Sequence, residues 1–340
     1  MSGAGDETAE ALPELSGECV LVTGAAGFIG SHLVDALLER GAWVRAMDNL
    51  ATGRRENLEA ALDRIEFLED DIRSPEACRR ACEGAAFVFH QAALGSVPRS
   101  LADPARTIAV NVGGTANVFA AAREAGVRRV IYASSSSVYG DSQTLPRREG
   151  EEGWPLSPYA LSKSVDEQLA RTFADCYGME LIGLRYFNVY GPRQNPEGPY
   201  AAVVPSFFQA CLKGEAPVIY GDGEQSRDFT YVGDAVAANL LAATARGDAC
   251  GRAYNVGGGA ETTILDLAGS VRSVTGAGAE PRTEAARPGE ARRSRADLSS
   301  SRSNLDYEPR WNLQRGLEAS FPHYASALGG GRKASAAGNR

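Results

Sequence analysis

The feature that most constrains this chain is a glycine turn near its start. Gly24-Ala-Ala-Gly27-Phe28-Ile29-Gly30 follows directly on the apolar run Cys19–Thr23 and opens a helical pattern at 29–40. Few folds place a strand, a glycine turn and a helix in immediate succession. The first glycine allows a tight turn, the second lets backbone approach a bound group, and the third lets helix and strand pack closely. A pyrophosphate suits such a turn, because the first N–H groups of a helix are unpaired and its dipole is positive there. Glycines alone would say little in a chain that holds 38 of them. Their position carries the argument.

The rest of the first half repeats the rhythm. Apolar runs at Trp43–Met47, Ile65–Leu68, Ala86–Phe89, Val130–Ala133 and Leu181–Leu184 read as strands, and segments 74–82, 104–124 and 160–178 carry helical periodicity. This alternation predicts an α/β fold, a Rossmann-type doubly wound parallel sheet covered on both faces. After about residue 190 Gly and Pro become frequent and the apolar runs shorten, which predicts a smaller C-terminal α/β substrate lobe. The expected organisation is a loose tail over 1–17, a dinucleotide-binding domain over 18–190, a mainly substrate-binding lobe over 191–327 interleaved with it, and a loose tail over 328–340.

Asp48 and Asn49 follow the second strand. A carboxylate at that point accepts hydrogen bonds from an adenosine ribose and repels a 2′-phosphate, so NAD is expected rather than NADP. Arg54 lies nearby and is expected to be solvated. Tyr159-Ala-Leu-Ser-Lys163 places a phenol and an ammonium four residues apart, on one face of a helix. A phenol is a poor base at neutral pH, but a neighbouring ammonium stabilises the phenolate. Such a pair can take a proton from an alcohol while its carbon gives up a hydride, and Lys163 can also bond the nicotinamide ribose.

Composition closes off other classes. With 35 Lys+Arg against 43 Asp+Glu the net charge is −8, a poor basis for general binding to nucleic acid or an anionic membrane. The six cysteines (Cys19, Cys78, Cys82, Cys176, Cys211, Cys250) form no Cys-x-x-Cys pair, and there are only three His. Neither a metal site nor a disulfide framework is expected; Cys78 and Cys82 read as small buried residues in a reducing compartment. The N-terminal stretch lacks a basic region with an apolar core, and no run of about 18 apolar residues occurs, so a cytoplasmic protein is expected.

The Gly-x-x-Gly-x-x-Gly spacing resembles the extended short-chain dehydrogenase/reductase superfamily. Asp71-Ile72 resembles its adenine-contacting pair, His90-Gln91-Ala92-Ala93 its segment beside the cofactor, and Asn111-Val-Gly-Gly-Thr115 its Asn-x-x-Gly-Thr helix. His90 is expected to pack and hydrogen-bond rather than to move protons. In Tyr132-Ala-Ser-Ser135-Ser136-Ser137-Val-Tyr139-Gly140, Ser135 matches the residue that bonds the reacting hydroxyl. Sugar-nucleotide dehydratases carry Thr-Asp-Glu at the positions of Ser135, Ser136 and Ser137, and related decarboxylases carry a Glu at the last of them. Serines in place of those acids imply C4 epimerisation: oxidation to a 4-keto sugar, rotation and re-reduction.

Later segments resemble the nucleotide-sugar 4-epimerase family, in particular bacterial UDP-N-acetylglucosamine 4-epimerases, and the resemblance runs from about residue 19 to 327. Within Arg185–Gln194, it implies that Tyr186 lies near the nicotinamide and Asn188 contacts the diphosphate. Tyr220 would face uracil, Arg227 and Arg287 would hold the diphosphate, and Glu290 would bind the ribose. Ser294 matches the position that closes the sugar pocket, where a small residue leaves room for an acetamido group. Gly95, Ser96 and Gln194 resemble the pocket of the acetylated-sugar enzymes. The resemblance implies turnover of UDP-GlcNAc and UDP-GalNAc, with UDP-glucose and UDP-galactose as additional substrates. It also implies a homodimer, through the helices near 104–124 and 160–178. An enzyme restricted to plain UDP-glucose, a UDP-glucuronate 4-epimerase and a non-catalytic NAD-binding regulator are the alternatives.

Overall fold

The computed structural model describes residues 12–196, 201–286 and 292–329. Strands β1 (Cys19–Thr23), β2 (Trp43–Met47), β3 (Ile65–Leu68), β4 (Phe87–His90), β5 (Arg129–Ser135) and β6 (Glu180–Tyr186) lie parallel in one sheet. Between them run α1 (Phe28–Glu39), α2 (Pro75–Cys82), α3 (Val97–Ala102), α4 (Pro104–Ile108), α5 (Gly114–Glu124) and α6 (Pro158–Tyr177). The sheet order is β3-β2-β1-β4-β5-β6, followed by a seventh strand from later in the chain. The order reverses between β1 and β4, where Thr23 pairs with both Met47 and His90. A cleft opens at the carboxyl ends of the strands at such a point, which is where ligands of open α/β sheets bind.

Local sequence explains the main elements. All four residues of β4 are buried, as a strand covered on both faces requires. Helix α2 starts at Pro75, and the Ser74 hydroxyl accepts from the Ala77 N–H. Helix α6 uses the same device: Ser157 accepts from the Ala160 N–H at 3.1 Å, and Pro158 opens the helix. It ends at Gly178, which takes a left-handed conformation at φ 67°. The helix expected over 104–124 is interrupted by a π-helical turn at Ala109–Gly113, between α4 and α5.

The rest of the chain supplies β7 (Val189–Tyr190), α7 (Val203–Lys213), β8 (Val218–Tyr220), β9 (Ser226–Arg227), β10 (Thr230–Tyr231) and α8 (Val232–Thr244). Then come β11 (Arg252–Val256), β12 (Thr262–Thr263), α9 (Ile264–Thr275), β13 (Arg282–Glu284), α10 (Ser299–Leu305) and α11 (Leu313–Gly329). Strand β11 is the seventh strand of the large sheet and lies beside β6. The two-stranded pairings β10·β7, β12·β9 and β13·β8 stand apart from it.

Three apolar clusters form among the described residues. Leu33, Val34, Leu37, Phe89, Ile131, Leu184 and Tyr254 belong to one, and Cys78, Cys82, Phe119, Tyr132 and Leu181 to a second. The third, with Phe207, Phe208, Ile219, Leu267 and Tyr324, belongs to the later segments. Burying one such side chain stabilises by about 1.5–3 kcal/mol, so each cluster is a substantial core. Leu15, in the stretch expected to be a tail, is buried in the first cluster, and the Gly17 N–H bonds the Gly41 carbonyl.

Candidate active site

The glycine turn forms a tight cradle at the carboxyl end of β1. Gly24 has φ 68°, and a Cβ there would lie 2.7 Å from the Ala92 nitrogen. At Gly30 a Cβ would lie 2.1 Å from the Gly24 carbonyl oxygen, so only hydrogen fits. Gly27 precedes α1 and no side chain caps the helix, which leaves its positive end unopposed, with Phe28 and Ile29 as its first residues. Asp48 accepts from the Ala26 N–H at 3.0 Å and the Leu50 N–H at 2.8 Å. Burial pushes its carboxyl up against the pull of those N–H groups. A backbone cradle, an uncapped helix start and a fixed carboxylate together fit a dinucleotide.

Further along the same edge, Asn49 donates to Asp71 at 2.8 Å. The Arg73 guanidinium also grips Asp71 and holds its carboxyl down at about 2. Ile72 is buried, and a Cβ on Gly114 would strike its Cδ1. Gln91, Asn239 and Tyr186 close a triangle. Gln91 donates to Asn239 at 3.0 Å, Asn239 donates to the Tyr186 hydroxyl at 2.7 Å, and that hydroxyl donates to Gln91 at 3.1 Å. Ala92 N–H bonds the Thr23 hydroxyl, with Ala93 half-buried beside it. His90 bridges the Thr23 and Thr115 hydroxyls at 2.7 and 3.0 Å. Burial pushes it down to about 3, so the ring is neutral and serves the packing. Arg54, expected to be solvated, is exposed but donates to Asn195 at 3.0 Å. The loop after β7 brings that amide within its reach.

The start of α6 sets the chemistry. The Ser157 cap and Pro158 fix the first turn, so Tyr159 stands half-buried there and Lys163 one turn further in, fully buried. The Lys163 ammonium donates to the Ala133 carbonyl at 2.9 Å and to Asp166 at 3.0 Å. Asn111 lies in the π turn. Its carbonyl oxygen accepts from the Leu94 N–H at 2.8 Å and its amide donates to the Ser162 hydroxyl, which donates to the Tyr159 carbonyl. A π turn re-aims one side chain within a helix, and such turns collect at functional sites. Ser135 ends β5, and its hydroxyl oxygen accepts from the Ser137 N–H at 3.1 Å, which leaves its own proton free to donate. Ser136 is half-buried, and the Ser137 hydroxyl is buried without a protein partner. Glu167 and Glu152 are both paired with Arg185, and Glu167 also accepts from Ser134.

On the other side of the cleft, Asn188 is exposed at φ 30° and its amide donates to the Asp228 carbonyl at 3.2 Å. Gln194 donates to the Val189 carbonyl, and its own carbonyl oxygen is buried without a protein partner. Gly95 is exposed, and the Ser96 hydroxyl caps α3 by accepting from the Arg99 N–H. Tyr220 is half-buried on β8, and Arg227 on β9 donates to the Ser226 carbonyl at 2.9 Å. Ser294 is half-buried, in a segment tied to several parts of the molecule. The Arg295 carbonyl accepts from the Arg147 N–H at 2.7 Å, the Ala296 N–H bonds Asp228 at 3.0 Å, and Arg293 pairs with Glu261 at 2.6 Å. Arg287 and Glu290 lie outside the described residues.

Three groups escaped the sequence reading. Asp166 and Glu167 lie three and four residues after Lys163, and that spacing is the signal that would have found them. Asp228, beside Arg227, is a buried anchor that accepts from Gly258, Gly259 and Ala296. Burial pushes its carboxyl up to about 6 against those bonds. Among the described residues no three His, Cys, Asp or Glu side chains form a metal-binding group, and no helix is long and apolar enough to cross a membrane.

The chain is similar to known proteins over most of its length. Residues 20–257 match the model of the NAD dependent epimerase/dehydratase family. A UDP-glucose 4-epimerase of Mycolicibacterium smegmatis is 41% identical over 301 residues, 87% of this chain and 95% of that protein. The crystal structure of a Thermotoga maritima UDP-glucose 4-epimerase with UDP-glucose superposes with a TM-score of 0.87 at 38% identity, covering 91% of this chain and 99% of the other. A UDP-N-acetylglucosamine 4-epimerase from Methanobrevibacter ruminantium, in complex with UDP-N-acetylmuramic acid, gives 0.88 at 37% identity, covering 92% and 100%.

Proposed function

Because this chain belongs to the NAD-dependent epimerase/dehydratase family, we propose that it is an isomerase that inverts C4 of a UDP-hexose, interconverting UDP-GlcNAc and UDP-GalNAc. UDP-glucose and UDP-galactose are its additional substrates. Gly24, Gly27, Gly30, Asp48 and Lys163 would hold NAD, which would supply a hydride acceptor when bound. Tyr159, as phenolate, takes the O4 proton. The O4–H pair becomes the second bond of a C4 carbonyl as the C4–H pair departs as hydride. Ser135 donates its free hydroxyl proton to O4 and orients it. On return, hydride reaches the opposite face of C4 and Tyr159 gives the proton back. Arg227, with Arg287, holds the diphosphate while the keto-sugar turns, a task that suits guanidinium better than ammonium.

The observation that carries this reading is the stretch Ser135–Ser137 at the end of β5, beside the Tyr159 and Lys163 helix. It offers hydroxyls and no acid, and Glu167 and Glu152 are occupied by Arg185. Elimination of water needs an acid at the sugar; epimerisation does not. Support for the acetylated substrate comes from Ser294, a small side chain in a segment anchored through Arg295 and Ala296. Support for a homodimer comes from Leu101 on α3 and from Leu161 and Tyr177 on α6, large apolar side chains left exposed. The test is incubation with UDP-GlcNAc followed by proton NMR. UDP-GalNAc should accumulate to equilibrium; its absence, with the protein folded and NAD bound, overturns the reading.

A further inference from the structure

The catalytic helix buries a carboxylate that the chemistry above does not use. Lys163 and Asp166 form an ion pair at 3.0 Å with side chains only 3% and 1% exposed. One Asp166 oxygen is engaged by the ammonium, and the other is buried with the Thr115 hydroxyl beside it. An ammonium has three N–H donors. Ala133 and Asp166 take two of them, so the third has a fixed direction. We propose that Asp166 is a positioning residue for proton transfer: it aims the third N–H of Lys163 and offsets the ammonium charge, so that Tyr159 keeps its proton more tightly than beside an unpaired lysine. This inference rests on the reading of Tyr159 and Lys163 as the acid–base pair.

Among the described residues, Asp166 is the charged group that Lys163 pairs with. From β4, His90 is neutral and its low value reflects burial first and the Lys163 charge second. From β5, Tyr132 is buried and held in its phenol form. From α5, the Thr115 hydroxyl faces the Asp166 carboxyl itself. On α6 itself Glu167 is neutralised by Arg185 of β6. Burial raises the Asp166 carboxyl and the Lys163 ammonium pulls it back, as expected of a buried pair whose charges depend on each other.

Asp166→Asn keeps the shape and an acceptor oxygen while removing the charge. Tyrosine labelled with carbon-13 at Cζ, with Tyr159 assigned by Tyr159→Phe, reports the phenolate fraction directly. At a fixed pH below full ionisation, that fraction should rise about tenfold in Asp166→Asn, and the acid limb of kcat/KM should move to lower pH. Asp166→Glu, which restores the charge, should return the fraction toward the native one. A phenolate fraction in Asp166→Asn that is unchanged or lower overturns the proposal. In the unsubstituted protein, carbon-13 at the Asp166 carboxyl should report the ionised form at pH 7; a protonated carboxyl there overturns it without any variant. Full turnover by Tyr159→Phe would instead remove the acid–base reading itself, and this inference with it.

Discussion

The two sides of the cleft are built in different ways. On the dinucleotide side, candidate groups sit at the ends of strands in a seven-stranded sheet, and backbone holds most of them: Gly24 against Ala92, Asp48 on Ala26 and Leu50, Asn111 on Leu94. On the sugar side they sit on two-residue and three-residue strands and on a segment tied across the molecule by single bonds. Electrostatics differ between two of their carboxylates, although burial raises Asp48 on the dinucleotide side too. Asp71 is held low by a guanidinium, whereas Asp228 is held high by burial. On the proposed reading the rigid side serves an invariant operation, proton and hydride transfer. On the same reading the other side is where a change of one residue would alter which sugar enters.

Three experiments test that contrast. The largest effect belongs to Gly30→Val. Its Cβ would meet the Gly24 carbonyl oxygen, and the overpacking costs about 3 kcal/mol. Bound dinucleotide, measured by absorbance after denaturing the purified protein, should be lost; full retention would mean the cradle is not the binding turn. Next comes Ser294→Tyr. The ratio of kcat/KM for UDP-GlcNAc to that for UDP-glucose should fall about a hundredfold with dinucleotide content intact. An equal loss for both sugars would show that this side acts on catalysis and not on selection.

The smallest effect is a pair of opposite pH slopes, read by denaturant unfolding across pH. Asp228 is raised from 3.8 to about 6, so its stabilising contribution is complete below 3.8 and is lost as pH rises through about 6. Asp71 is lowered from 3.8 to about 2, so its contribution is present above 3.8 and is lost as pH falls through about 2. Neither slope exceeds about 1.4 kcal/mol per pH unit, and that of Asp71 is smaller because water reaches it. Asp228→Asn should flatten the upper window and Asp71→Asn the lower. A shared direction would erase the electrostatic half of the contrast.

What could be read in advance follows the same division. Strands β1 to β6 fall within a few residues of the apolar runs, because burial on both faces writes itself into consecutive residues. Gly24 and Gly30 were legible because a close contact excludes every other residue. The π turn at Ala109–Gly113 was not, since its apolar spacing continues the helices on either side. Strand β11 was read with the later lobe, because nothing in Arg252–Val256 says which edge it will join. Asp166 looked like any polar residue of a helix. Its three-residue spacing from Lys163 allows the pair, but only the packing shows that the pair is buried.

Strand β11 has a consequence for how the protein is made. When a ribosome has released the first 190 residues, it has delivered six strands of a seven-stranded sheet. The far edge of β6 is then an open row of N–H and C=O groups. It stays so until Arg252–Val256 emerges and lays Tyr254 beside Leu184. The sheet of the dinucleotide half is therefore completed by a strand from the later half. A nascent chain arrested near residue 190 presents an adhesive strand to its neighbours, and completion of the later half is what makes the earlier half safe in a crowded solution.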